Sequence, residues 1–597
     1  MFMKKKLPLL LICFVVAAQC GASAYEVMGP APTQEMRTIQ ESSFERFAPQ
    51  QIQESYEKKE KQEAADEQTQ KRIDSKLREI NEEATFSGSV ADNMVYVTVK
   101  RVQFPKSAVF SEAELQKYAE PLLNRTVSID EINKVIEEIS RAYVNADYFT
   151  SRAYLPEQNV DDGTLRIGLY EGRIGKITVS NNKWTRSSYI TNRIDTKEGE
   201  LFKLRALEKQ VINFNNKNDV KLSVQIKPGE EVGTTDVEII THNKLPFHIT
   251  GVFDNQGRDN IGVLRGGAII SSDSVFGFRD KFAGGGYFGK NSQIAFADYN
   301  IPVNKKGTRV GANFSFNHIK VGSGPYKDFN INGRTFAYTG YVNHPIIDNP
   351  KTQISSYSSA NAKFTDTKSG NYKLYDTHSI SLTQGITGRW DTKRGIWLTG
   401  HYANVGHFDT QGAHKFFFKY EGTGARLHDF GHGIIGEFRA GGQWSPTKQL
   451  PWVEQYQTGG MSTIRGYSEG ALIGRSGYNL NAEIITPIPL LPKRIGGEKI
   501  GYISPRDIVK FAVFVDHGAI FADETPGLPS TQFLVSTGAG LRINVTNEIL
   551  ARLYWGFGLV NTKYEAEHKT CRFHFELATR PDLTRLVRDK HKKKESL

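Results

Sequence analysis

The chain has 597 residues, of which 39% are hydrophobic and 24% charged, and its formal net charge is +11. This length exceeds that of an ordinary single domain and predicts several modules or one large closed structure. Beyond the N-terminal apolar run, no stretch approaches the roughly twenty apolar residues of a membrane-spanning helix, so passage through a membrane would require a β-barrel.

The N-terminus predicts a secretory signal peptide over residues 1–24. Lys4 to Lys6 precede an apolar run from Leu7 to Ala18, and small residues follow as a cleavage site. Cys20 offers a lipoprotein alternative that ranks low, because a glutamine precedes it. Cys571 is then the one cysteine of the mature chain, which excludes an intrachain disulfide.

Residues 25–92 are dominated by Gln, Glu and Lys and predict a charged helix or linker. Within them, residues 33–47 form a weakly amphipathic stretch that ends before Pro49. Its weak apolar face suits a removable plug helix, and the alternative is disorder.

Residues 93–173 and 174–245 predict two small tandem α+β domains. Capping boxes at Ser111 to Glu114 and Ser128 to Glu131 each predict the start of a helix. The predicted strands are Val95–Phe104, Tyr148–Leu155, Thr164–Tyr170, Lys176–Ser180, Val220–Lys227 and Thr235–Thr241, with further helices at Ser187–Ile194 and Leu204–Asn215. Exposed strand edges in such domains favour the uptake of an extended peptide.

Residues 246–579 predict about sixteen strands separated by Gly, Asn, Asp and Pro. In the stretch from Ile549 to Val560, aromatic and aliphatic residues alternate with Arg, Tyr and Gly. A soluble β-sandwich would also alternate. Strand number, strand length, abundant aromatics and the export signal favour a transmembrane barrel.

A long polar loop between two strands contains Arg465, followed by Gly-Tyr. About fifty residues later, strand alternation places Phe514, Asp516 and Gly518 on one face. A salt bridge between Arg465 and Asp516 would fix the loop inside a larger structure. The alternative is a solvated loop arginine.

These residues resemble the outer-membrane transporters of two-partner secretion (TpsB type), also called haemolysin activation/secretion proteins. The segments Ala153 to Gln158, Asp162 to Leu165 and Glu171 to Ile174 are similar to the family's first POTRA domain, and Lys227 to Asp236 to its second. Ile464-Arg465-Gly466-Tyr467 is similar to the family's loop-six motif, and Phe514-x-Asp516-x-Gly518 to its motif on a following inner strand.

The resemblance implies that a loop at residues 446–476 folds into the barrel lumen. There Arg465 would reach Asp516 on the inner wall, and Phe514 and Gly518 would shape its seat. The loop is expected after the eleventh strand and the Asp516 motif on the thirteenth. In a hydrated lumen we expect a partly screened pair worth about 0–1 kcal/mol, which holds loop geometry more than it adds stability.

The sequence departs from the family pattern at two places. Asp147 stands where the family usually has Gly before Tyr148. A basic tail, residues 580–597, follows the expected last strand, which runs from about Cys571. We interpret the tail as solvated rather than as a binder of nucleic acid. It would either hinder recognition by the assembly machinery or indicate that the last strand lies elsewhere.

The sequence contains no catalytic motif, no spacing typical of a metal site and no phosphate-cradling loop, so we predict neither an enzyme nor a bound cofactor or metal. His401 and His407 are interpreted as surface or lumen residues. The resemblance implies secretion of an unfolded TpsA-type exoprotein across the outer membrane of a diderm bacterium, with the POTRA domains in the periplasm. Outer-membrane lipid and the barrel assembly machinery are expected partners. The alternatives are a factor that inserts other barrels, a passive porin, and a barrel enzyme with an unrecognised site.

Overall fold

The computed structural model describes residues 96–583 except 219, 232, 324–326, 350, 411, 498–500, 524–528, 546–547 and 562–570. The predicted signal peptide, plug helix and charged linker, and most of the basic tail, lie outside the described residues. The chain separates near Leu245 into an α+β unit and a β-barrel unit. In the described part, no helix has the length and apolarity needed to cross a bilayer.

The first α+β domain is built on the two predicted capping boxes. Glu114 N donates to Ser111 Oγ while Glu114 Oε2 accepts from Ser111 N, and Ser128 and Glu131 repeat this exchange, which confirms both predictions. The predicted first strand is divided at Lys100, because its two halves pair with different strands. The elements are β1 Tyr96–Val99, β2 Arg101–Gln103, α1 Glu112–Ala119, β3 Arg125–Ser128, α2 Ile129–Asn145, β4 Arg152–Tyr154, β5 Thr164–Arg166 and β6 Gly168–Tyr170.

Glu171 fastens the start of this domain to its long helix α2. Its carboxylate accepts hydrogen bonds from Ser107 Oγ at 2.6 Å and from Tyr143 OH at 3.0 Å. Burial, with the negative charge of Glu171 beside it, raises the pKa of Tyr143 to about 12, so the hydroxyl remains a donor. The Glu-Gly-Arg-Ile segment noted in the sequence therefore has a structural role in the first domain.

The second α+β domain packs two helices on a three-stranded sheet, in which β9 Thr234–His242 lies between β7 Arg173–Ser180 and β8 Lys221–Pro228. β7 and β9 are parallel, and β8 is antiparallel to β9 and forms one edge. Buried Phe202, Leu207 and Ile239 belong to its core. The elements are β7 Arg173–Ser180, α3 Ser187–Thr191, α4 Leu204–Lys217, β8 Lys221–Pro228 and β9 Thr234–His242.

Asp147 preserves the turn that glycine usually makes after α2. Its φ is +75°, in the left-handed region that Asp tolerates better than most residues, and Tyr148 N donates to Tyr143 O at 2.9 Å. Its Oδ1 accepts from Arg205 N at 3.0 Å, in the first turn of α4. The N-cap residue of α4, Lys203, makes no side-chain cap, so Asp147 of the first domain supplies one to the second.

The barrel is closed and antiparallel, with sixteen strands in the described residues, which confirms the predicted fold class. The Arg465 loop follows the eleventh strand, β20 Ile434–Trp444, and Asp516 lies on the thirteenth, β26 Val509–Phe521. The barrel strands are β10 Phe247–Asp254, β11 Arg265–Ser272, β12 Lys281–Gly289, β13 Ser292–Pro302, β14 Arg309–Lys320, β15 Ile331–Asp348, β16 Thr352–Ser369, β17 Tyr372–Thr392, β18 Gly395–Thr410, β19 Ala413–Gly431, β20 Ile434–Trp444, β23 Ser476–Pro487, β26 Val509–Phe521, β27 Thr531–Val545, β28 Ile549–Gly558 and β29 Arg572–Thr579.

The last predicted strand closes the barrel. β29 pairs with β28 and, over four residue pairs, with β10, so the possibility that the final strand lies elsewhere is wrong. Its side chains alternate as predicted: Phe573 and Leu577 are exposed on the outer face, whereas His574 and Glu576 are buried on the inner face. Apolar side chains thus face outward and polar side chains inward, the reverse of a soluble protein, which is typical of a barrel with an apolar exterior.

The connections between barrel strands carry a few further elements. β21 Tyr456–Thr458 and β22 Leu472–Gly474 form a short hairpin between β20 and β23. β24 Ile495–Gly497, β25 Gly501–Ile503 and helix α5 Pro505–Ile508 lie between β23 and β26.

Candidate functional site: the inward loop

The loop at residues 446–476 contacts the inner wall of the barrel by its side chains. The hairpin β21/β22 closes its neck, and Gln443 Nε2 donates to Glu454 O at 2.8 Å and Arg475 O at 3.0 Å, which joins entrance to exit. Beyond the neck, Gly459 and Gly460 have φ angles of +113° and +102°, which favour glycine, and turn the chain into a tip.

Arg465 at the tip pairs with Asp516 of β26. Arg465 Nε donates to Asp516 Oδ2 and Nη2 to Oδ1, both at 2.8 Å, and Arg465 N adds a third bond to Oδ2 at 3.0 Å. The fork of the guanidinium thus matches both carboxylate oxygens. The remaining terminal nitrogen, Nη1, pairs with Glu483 of β23.

The expected partial screening of this pair is wrong. The side chain of Arg465 is 2% exposed and that of Asp516 is 0% exposed. The guanidinium is therefore desolvated and depends on its carboxylates, and removal of one partner from such a buried pair costs about 3–5 kcal/mol rather than the 0–1 kcal/mol of an exposed pair.

Phe514 and Gly518 shape the seat of the loop tip. Arg465 Cζ lies 3.6 Å from the centroid of the Phe514 ring and 4.9 Å from that of Tyr554, within cation–π range. A Cβ on Gly518 would lie 3.0 Å from Ile464 Cδ1, so the absence of a side chain admits Ile464 to the wall. All the residues singled out in the two motifs thus converge.

Gly466 and Tyr467 hold the tip against β28. Gly466 has a φ of +91°, and its N donates to His574 Nε2 at 3.0 Å. A Cβ built on Gly556 of β28 would lie 2.4 Å from Gly466 N, so here two backbones touch. The Tyr467 hydroxyl lies 2.9 Å from the carbonyl oxygen of Val535.

Sequence reasoning missed Glu483, the second carboxylate at Arg465. Glu483 Oε1 also lies 2.6 Å from Arg542 Nη2 and accepts from Tyr554 OH at 2.7 Å. The available signal was the alternation of β23, which places Glu483 on the inner face. Its register opposite Phe514 is seen only in the structure. The site is thus a network of buried charges around Arg465 rather than one ion pair.

The geometry of the site holds the loop against the wall. Its charged groups are engaged with one another, and in the part of the chain that the structure describes no group of three His, Cys, Asp or Glu side chains is arranged to hold a metal ion. The described residues thus form a closed barrel with a loop held inside it by an arginine, preceded by small α+β domains.

Comparison with known proteins gives the family. Residues 97–172 match the ShlB-type POTRA domain, and residues 233–543, more than half of the chain, match the haemolysin secretion/activation proteins ShlB/FhaC/HecB. The chain belongs to this family of transporters.

Individual proteins similar to this chain are also transporters by name. The chain is 24% identical over 462 residues to the heme/hemopexin transporter protein HuxB of Haemophilus influenzae, covering 72% of this chain and 78% of HuxB. It is 25% identical over 422 residues to the hemolysin transporter protein ShlB of Serratia marcescens, covering 64% and 72%. The structure of CdiB from Escherichia coli has the same fold, with a TM-score of 0.55 at 19% identity, covering 87% of this chain and 98% of CdiB.

Proposed function

We propose that this chain is a translocator of two-partner secretion. It binds an unfolded TpsA-type exoprotein in the periplasm through its POTRA domains and passes it through the barrel to the cell surface. The observation that carries this proposal is the inward loop, which side-chain contacts of Arg465 hold inside a closed barrel. A loop held in this way can be released without breaking the strand ladder, as a gated pore requires.

The names of the relatives support a protein cargo. One is a hemolysin transporter and another a heme/hemopexin transporter. In our proposal the two domains at residues 93–173 and 174–245 receive the exoprotein. Among the described residues β8 forms strand pairs with β9 only, and Asn215 occupies the backbone N–H and C=O of Leu222. The edge of β8 beyond Leu222 is the proposed site of strand addition, which tolerates many sequences.

Lipid and the assembly machinery are the other proposed partners. Apolar residues on the outer face, including Phe573 and Leu577, suit contact with outer-membrane lipid. The machinery would read the terminal strand β29 during biogenesis. The sequence contains no nucleotide-binding motif, so we infer that folding of the exoprotein outside the cell draws it outward. A plug at residues 33–47 stays a prediction.

The test is the set of surface proteins in cells that have or lack the gene, complemented with wild type or Arg465→Ala at equal barrel abundance. Loss of one large exoprotein in both the deletion and the Arg465→Ala strain would support the proposal. Loss of many barrel proteins together would favour an assembly factor. Unchanged surface proteins, with a steady conductance that Arg465→Ala leaves unaltered, would favour a porin.

A further inference from the structure

A second buried charge cluster lies at the entrance of the inward loop. Glu454 ends a one-turn 3-10 helix, Trp452–Glu454, and its side chain is 1% exposed. Its Oε1 lies 2.8 Å from Lys363 Nζ and its Oε2 lies 2.9 Å from Lys419 Nζ. Ser379 Oγ donates to Oε1 at 3.1 Å.

The wall residues that contact Glu454 lie on different barrel strands from the wall residues that contact Arg465. Lys363, Ser379 and Lys419 lie on β16, β17 and β19, whereas Glu483 and Asp516 lie on β23 and β26. In the closed strand order, β17, β18, β19, β20 and β23 separate β16 from β26. The loop is therefore attached to the wall on both sides of the strand from which it leaves.

The loop supplies a carboxylate to the buried lysines of the second cluster. Lys419 Nζ also lies 3.2 Å from Glu421 Oε1 on the same strand, so two lysines face two carboxylates. Removal of Glu454 from this site would leave a buried lysine short of a counter-charge, which is costly. Glu421 gives the matched case, because it carries the same charge in the same cluster but belongs to the wall.

Apolar packing supports the same end of the loop. Leu450, four residues before Glu454, is buried in a cluster with Phe408 of β18 and Phe417 of β19. Glu454 N donates to Pro451 O at 2.8 Å and Gln455 N to Trp452 O at 3.2 Å, which keeps the 3-10 turn compact. The 3-10 turn and the packing of Leu450 thus hold the backbone of Glu454 in place.

We propose that Glu454 is a positioning residue that fixes the root of the inward loop to the barrel wall. When the Arg465 contacts open, the tip moves about this root and the entrance of the loop stays in place. The motion of the loop during transport rests on the proposed function, whereas the attachment of the root does not. The two are tested by separate measurements.

The attachment is tested by hydrogen exchange on the purified full-length protein in lipid nanodiscs, followed by mass spectrometry of peptides from the root, residues 446–458, and the tip, residues 459–471. We expect Glu454→Gln to accelerate exchange at the root at least tenfold. Arg465→Ala is expected to accelerate exchange at the tip and leave the root protected. Glu421→Gln, the matched charge removal on the wall, is expected to leave the root as in wild type.

Equal acceleration at the root by Glu454→Gln and Glu421→Gln would overturn the proposal, because charge balance alone would then explain the cluster. No acceleration by Glu454→Gln would overturn it as well. If Glu454→Gln fails to fold, the double variant Lys363→Gln with Glu454→Gln removes one charge of each sign. It is expected to fold and still to expose the root, and a protected root in this variant would count against the proposal. Exoprotein release, measured separately, reports on the proposed function.

Discussion

The inward loop is attached to the wall by buried ion pairs at its tip and at its root. The charge that the loop contributes is positive at the tip and negative at the root. At the tip the loop supplies the cation, Arg465, and the wall supplies Asp516 and Glu483. At the root the loop supplies the carboxylate of Glu454 and the wall supplies two lysines. Because like charges repel, neither end can occupy the seat of the other, and the two clusters together specify one placement of the loop.

The two attachments also differ in their steric demands. The tip lies against bare backbone, with Gly466 on Gly556, whereas the root packs side chain on side chain through Leu450. Backbone contact leaves no room for an added methyl group, while side chains can adjust. We therefore expect the tip to be sensitive to shape and charge and the root chiefly to charge.

Arg465→Ala should have the largest effect. It leaves Asp516 buried without its arginine and Glu483 with Arg542 alone, so we expect a loss of about 3–5 kcal/mol of interaction at the tip and exoprotein release reduced at least tenfold per folded barrel. Release is measured by quantitative immunoblotting of the medium and cell surface. Arg475→Ala, in the same loop but at a partly exposed pair with Asp523, is the control and should cost at most about 1 kcal/mol. Equal effects of the two variants would contradict the comparison.

Gly556→Ala tests the shape of the tip seat. The new methyl group would meet Gly466 N at 2.4 Å, so we expect a destabilisation of about 1–3 kcal/mol and faster exchange at the tip. Gly424→Ala on β19 is the control, because a Cβ there has no atom within 4 Å. The unfolding temperature in detergent, read from the heat-dependent shift on electrophoresis, compares the two. If the Gly556→Ala barrel were as stable as the Gly424→Ala barrel, the claim that the tip is sensitive to shape would be wrong.

Lys363→Met tests the charge of the root. It deletes one of the two cations at Glu454 and leaves the Arg465 seat untouched, so we expect faster exchange in residues 446–458 with a protected tip. The effect should be smaller than that of Glu454→Gln, because Lys419 stays. The same peptides and mass spectrometry as above measure it. Faster exchange at the tip with a protected root would show that Lys363 stabilises the tip rather than the root, which would contradict the prediction.

Substitution of Asp147 is expected to have the smallest effect. Its carboxylate is more exposed than the carboxylates of the two loop clusters and makes a single hydrogen bond to α4. Asp147→Gly keeps the left-handed turn but loses the cap on α4, which we expect to cost about 1 kcal/mol. Asp147→Asn keeps both turn and cap and is the control. Hydrogen exchange of the first turn of α4 should rise in the Gly variant alone. A rise in both variants would mean that charge, not the hydrogen bond, is responsible.

Short-range patterns explain why much of the fold was predictable. The capping boxes at Ser111 and Ser128 involve residues three apart, and strand alternation reveals the face of each barrel residue locally. Strand alternation suggested the pairing of Arg465 with Asp516, 51 residues apart, and left a solvated arginine as the alternative. The resemblance of both motifs to a known family then favoured the pair.

The root cluster could not be predicted in this way. Ser379 and Glu454 are 75 residues apart and belong to no shared motif, and their contact depends on the curvature of the closed barrel. Burial of Arg465 was missed for the same reason: sequence alternation tells which face a residue occupies, but not what else fills the lumen. The second carboxylate, Glu483, becomes visible only once β23 and β26 are placed side by side.

The central claim, passage of an exoprotein through the lumen, is tested most directly by disulfide trapping. An exoprotein with one cysteine is stalled by a folded domain at its C-terminus, in a Cys571→Ser background. Ser381→Cys places a near-isosteric thiol on the inner face of β17, and Leu382→Cys places one on the outer face, where Leu382 is 65% exposed. The account predicts a crosslink from position 381 and none from position 382. A crosslink from position 382, or from neither while the exoprotein still reaches the surface, would contradict it.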